Sequence, residues 1–71
     1  LFLNLLGPGR VGLVARPRAP LMAGPSAGAA WLTTAAAGDR FVVQGQQDIW
    51  YRVRWQGRDA YIRRPDLLLV E

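Results

Sequence analysis

No cysteine and no histidine occur among the 71 residues. Without cysteine there is no disulfide to staple a small fold and no thiolate to hold a metal. Without histidine the commonest general base and imidazole ligand are missing. Lysine is absent too, and all nine cationic residues are arginines. Serine occurs once, at Ser26, with no histidine, cysteine or lysine to activate it. The five acidic residues, Asp39, Asp48, Asp59, Asp66 and Glu71, fall mostly in turn-like stretches. A glycosidase needs two carboxylates facing across a cleft, and nothing in this spacing sets them so. The glycine-rich "GPGRVG" has no P-loop lysine. These absences predict a non-catalytic chain with no cofactor and no metal.

A long hydrophobic run is also missing. The apolar stretch from Leu1 to Leu6, "LFLNLL", is far short of the roughly 20 residues of a membrane span. No basic region precedes it, so it does not read as a signal peptide. Position 1 is not methionine, and the chain reads as a piece of a longer protein. Any membrane contact would then come through other parts of that parent. Residues 1–9 are expected to be an apolar linker or the end of an upstream segment. Residues 10–71 are expected to be one small domain. An exposed apolar run invites association, so residues 1–6 are expected to pack on their own domain or on another copy.

What remains is rich in strand signals. The net charge is +4, which suits nucleic acid or anionic wall polymers only weakly. An all-arginine cationic set beside many alanines also fits a GC-rich genome. Residues 10–16, 30–35, 40–45, 49–55, 58–64 and 67–70 read as strands. Gly12 weakens the first of them. Pro17 and Pro20 forbid a helix and bracket a short extended piece. Residues 21–31 read as a loop around Gly24-Pro25-Ser26, and residues 65–67 as a short 3-10 turn. Short strands at this spacing, with glycine turns between them, predict an all-β domain, a small barrel of five to six antiparallel strands.

The stretch "DIWYRVRWQGRDAYIRR", residues 48–64, alternates rings and arginines. Gln56-Gly57 is a plausible two-residue turn. With it at the tip, Trp55 faces Arg58, Arg54 faces Asp59, and Val53 faces Ala60. Arg52 then faces Tyr61, Tyr51 faces Ile62, and Trp50 faces Arg63. Alternation puts Tyr51, Val53, Ala60 and Ile62 on a core face. Trp50, Arg52, Arg54, Asp59, Tyr61 and Arg63 share the outer face. Arg54–Asp59 is an expected ion pair. Arg52–Tyr61 and Trp50–Arg63 are expected cation–π pairs. Trp31, Trp55 and Tyr51 read as core or core edge. The alternation is therefore explained by strand pairing before a ligand is invoked.

The order of short motifs resembles the bacterial Src-homology-3 (SH3b) domains. The matching residues are Gly24-Pro25-Ser26, Gly38-Asp39, Phe41-x-Val43, Trp50-Tyr51-x-Val53, Gly57, Tyr61-Ile62 and Leu67. They span residues 11 to 70. The resemblance implies an SH3-like barrel without catalysis, in a protein of the cell envelope outside the cytoplasmic membrane. Some such domains bind peptidoglycan peptides. Three positions depart from the pattern. Ala60 stands where glycine is usual, and Met22-Ala23 replaces an arginine before the "GPS" loop. Arg63 and Leu67 fall near a proline and a tyrosine that hold PxxP ligands in the related eukaryotic domains. Only Trp50 remains of that aromatic groove.

Trp50 and Tyr61, flanked by Arg52 and Arg63, are thus the candidate ligand-binding residues. Each ring has two readings, ligand contact or packing under a loop. A shallow groove is expected between the "GPS" loop and the 48–64 hairpin. It would take an extended peptide or protein segment, such as a peptidoglycan stem peptide. The alternative is a structural or assembly domain with no small ligand. Nucleic acid, by ring stacking and arginine contacts, ranks third.

Overall fold

The computed structural model describes residues 10–70. Seven strands follow one another along the chain: β1 Arg10–Val14, β2 Arg18–Met22, β3 Trp31–Ala36, β4 Arg40–Gln47, β5 Trp50–Trp55, β6 Arg58–Arg63 and β7 Leu67–Leu69. A 3-10 turn, Arg64–Asp66, stands between β6 and β7. All pairings are antiparallel, in one sheet of order β3-β2-β6-β5-β4-β1-β7. The all-β class and the 3-10 turn near the C-terminus are as expected. The expectations for residues 1–6 lie outside the described residues.

The turns follow from backbone chemistry. Gln56 and Gly57 both take positive φ, 50° and 77°. That is the pattern of a two-residue turn whose twist matches its strands. It sets the β5–β6 register as the sequence predicts, from Trp55 opposite Arg58 to Trp50 opposite Arg63. Gly38, at φ 92°, turns β3 into β4. There Asp39 braces the corner, its carboxylate accepting from the Ala36 N–H at 2.9 Å. β4 runs two residues further than expected, and Asp48, at φ 53°, leads the reversal into β5.

The piece bracketed by Pro17 and Pro20 is a full strand, β2, and it makes the seventh. Pro20 has no N–H to give, and in keeping with that β2 meets β6 only at Met22 opposite Tyr61. On its other side β2 pairs with β3 along its whole length.

Every strand sends one or two apolar residues to a common core. These are Val14, Ala19 and Leu21, Ala35, Val43, Tyr51 and Val53, Ala60 and Ile62, and Leu67. A flat sheet of seven strands would be about 29 Å wide and one layer thick. The molecule measures 26 × 25 × 22 Å, so the sheet is curled over its own inner face. It does not close into a barrel. β3 and β7 are its two edges. Closure needs a continuous, correctly staggered ladder. With β7 only three residues long, that ladder is not completed. The core is shared across the curl by side-chain packing instead.

Two bulges shape the sheet. Val43 pairs with Val53 but Gly45 with Arg52, which leaves Gln44 as an extra residue in β4. Leu21 pairs with Thr33 but Met22 with Trp31, which leaves Leu32 extra in β3. Each bulge bends its strand and shifts the parity of the side chains beyond it.

Candidate binding face

The outer face of β3, β2, β6 and β5 gathers the ring and arginine side chains. Across it runs a row of paired positions: Trp31, Met22, Tyr61 and Arg52. Beside that row, Trp50 lies opposite Arg63, and Pro20 lies opposite Thr34. Pro20, Met22, Ala27, Trp31, Trp50 and Arg63 enclose a depression of about 250 Å³.

The β2–β3 connection, residues 23–30, brings Ala27 to this depression. Its base is closed by the Ala23 N–H donating to the Ala30 carbonyl at 2.8 Å. The Ser26 N–H donates to the Gly24 carbonyl, and the Ala29 N–H to the Ser26 carbonyl. The Ser26 hydroxyl oxygen accepts from the Gly28 N–H at 3.1 Å. The only serine of the chain is thus a brace of its own loop.

Of the four expected site residues, the depression brings together two, Trp50 and Arg63. Trp50 is 7% exposed yet stands outside the main core cluster. It is a nearly covered wall of the outer face. Arg63 is exposed at the end of β6. Tyr61 and Arg52 share the face but do not line the depression. Tyr61 is half-buried. The Arg52 guanidinium donates to the carbonyl of the bulged Gln44 at 3.3 Å. That contact draws it toward β4, on the side of β5 away from the depression.

Trp31 corrects the expectation from sequence. The strand pattern puts it at the core or its edge, and it is 63% exposed. Counting back from buried Ala35 by twos places residue 31 inward. The bulge at Leu32 reverses that parity, so Leu32 packs on the core and Trp31 turns out. The Trp31 indole N–H donates to the Thr34 hydroxyl at 3.0 Å, which holds the ring along the outer face of β3. Tyr51 is a core residue and Trp55 packs at the core edge, both as expected. Pro20, Met22 and Ala27 carry no sequence signal of a site. They are ordinary apolar residues made adjacent by the sheet order.

Several other charges brace the fold. Arg54 and Asp59 pair at 3.0 Å, as the register predicts. Arg16 and Asp66 stand 3.8 Å apart. Arg64 ties the 3-10 turn to the β4–β5 reversal. Its backbone N–H donates to the Ile49 carbonyl at 2.6 Å and its guanidinium to the Asp48 carbonyl at 3.2 Å. The same guanidinium lies 5.7 Å from the centre of the Tyr51 ring.

Comparisons of the chain with protein-family models, with curated proteins and with solved structures found no match.

Proposed function

We propose that this chain is a non-catalytic binding module of the bacterial SH3-like kind, part of a larger cell-envelope protein. It takes an extended peptide, such as a cell-wall stem peptide or a protein segment, on the outer face of β3, β2, β6 and β5. The observation that carries this reading is the depression walled by Trp31 and Trp50 with Arg63 beside them. Apolar hollows with one convergent polar group are the usual form of a binding subsite. The motif order from Gly24-Pro25-Ser26 to Leu67 supports the SH3-like part of the proposal. Arg52 and Tyr61 continue the face beyond the depression and would meet the neighbouring residues of a longer ligand. Two rings bury little area, so affinity is expected to be micromolar or weaker, about −8 kcal/mol at best.

The test is an NMR titration of the labelled chain with solubilised wall fragments, run beside Trp31→Ala and Arg63→Ala. Both residues are exposed, so these variants keep the core intact. Shifts that cluster on Trp31, Trp50 and Arg63 and weaken in the variants are the expected result. An unperturbed spectrum with every fragment would remove the reading.

A second reading, an assembly domain, is favoured by a different surface. Val42 of β4, Leu68 of β7 and Val70, just past the end of β7, are exposed. Val42 pairs with Val11, and Leu68 with Leu13, so the apolar positions are contiguous. Leu68→Asp in sedimentation experiments separates the two readings. Loss of self-association in that variant, with no peptide shifts in the parent, would favour assembly.

A further inference from the structure

We infer that the depression seats the C-terminal residue of a peptide, an apolar residue whose free carboxylate meets Arg63. The inference rests on the peptide-binding reading and narrows it to one kind of ligand end.

Three observations lead there. Five of the six lining residues are apolar, and two of those are indoles. The sixth, Arg63, is the only charged group in the lining, and no acidic residue faces it there. Among the described residues the Arg63 guanidinium has no carboxylate partner. Finally, the hollow is small. At about 250 Å³ it falls below the roughly 300–1,000 Å³ of sites that hold whole small molecules. It has room for about one residue.

A single residue that carries both apolar surface and negative charge answers the whole lining at once. An internal leucine or valine fills the hollow but brings no charge of its own to the guanidinium. An aspartate or glutamate meets the guanidinium but presents little apolar surface to Trp31, Trp50, Met22 and Pro20. A chain's last residue carries both on one Cα. Its side chain can enter the hollow against the apolar lining while its α-carboxylate stays at the rim. The planar guanidinium fork matches a carboxylate in two-point contact.

The experiment is a tryptophan-fluorescence and NMR titration of the 71-residue chain with three short peptides. They are acetyl-Ala-Ala-Leu with a free carboxylate, the same peptide as its C-terminal amide, and acetyl-Ala-Ala-Asp amide. The free acid is expected to bind about fivefold more tightly than its amide at low salt, the upper range for an exposed ion pair. That margin should shrink as salt rises. In Arg63→Gln the acid and the amide should bind alike. In Trp31→Ala both should weaken while their ratio holds. Equal affinity of acid and amide for the parent chain would overturn this inference and leave the peptide-binding reading in place. Tighter binding of the aspartate amide than of the leucine acid would overturn it in favour of a side-chain carboxylate. Absence of binding by all three, with wall fragments also silent, would remove the inference together with the reading on which it rests.

Discussion

At Gly12 there is no room for a side chain. A Cβ there would lie 2.5 Å from Leu67 Cδ2 and 2.6 Å from its Cγ. Leu67 is itself buried in the core, so a shift of its side chain disturbs close-packed neighbours. The glycine that looks like a weakness in β1 is therefore where β7 packs closest. Gly12→Ala should lower stability by about 1–3 kcal/mol through overpacking. In a Leu67→Ala background the same change should cost almost nothing. Urea midpoints of the two singles and the double measure this, and simple additivity would show that the two positions do not meet. Ala60 is the second tight position. It is fully buried opposite Val53, which is fully buried as well. Ala60→Leu should also cost about 1–3 kcal/mol. An unchanged midpoint would mean that the core has slack there.

The β5–β6 hairpin is the element on which the candidate face depends. Its turn has open space around Gly57, with nothing within 4 Å of where a Cβ would stand. A substitution there is penalised by conformation and not by contact. Gly57→Ala should lower stability by about 1–2 kcal/mol, the cost of a left-handed L-residue. Gln56→Asn should raise it by about 0.5 kcal/mol, because asparagine tolerates positive φ better. Thermal unfolding of the two variants checks the pair of signs. If Gly57→Ala were neutral, the turn would be of another type and the register would not be pinned by it. The Arg54–Asp59 pair also sits in this hairpin, but both side chains are more than two-fifths exposed. Such a pair adds little beside the turn.

The whole molecule is a curled sheet whose ends do not join. Its first described strand and its last are partners, so the chain closes on itself in sequence even though the sheet does not close in space. β1 also takes the Val70 N–H onto the Val11 carbonyl at 2.9 Å, and the Ala15 N–H reaches the Asp66 carbonyl at 2.9 Å. A domain of this size has a thin core and no disulfide, so losing one strand is serious. Deletion of residues 67–71 should remove the cooperative unfolding transition altogether. A truncated chain that kept a dispersed amide spectrum would show that β7 only decorates the sheet. Sheet pairings between distant parts of the chain also predict slow folding, in the millisecond-to-second range.

The local features could be read from residue patterning. Alternation and the Gln56-Gly57 turn were enough for the β5–β6 register, because a slip by one residue would turn every core side chain of the hairpin outward. The same logic identified Tyr51, Val53, Ala60 and Ile62 as core and Trp50 and Arg63 as outer-face neighbours. Alternation failed where the ladder gains a residue. The extra Leu32 reversed the parity of Trp31, and no signal in "AWLTTA" announces it. The prolines made the start of β2 read as no more than a short extended piece, and Leu21 and Met22 as loop, although one pair with β6 and a full ladder with β3 suffice to make a strand of residues 18–22. The assembled fold was needed to see that the sheet curls without closing, since closure depends on stagger between strands far apart in the chain. It alone decided which of the outer residues form a hollow. Pro20, Met22, Ala27 and Trp31 meet Trp50 and Arg63 because β2 lies beside β6, a long-range pairing that no local pattern encodes.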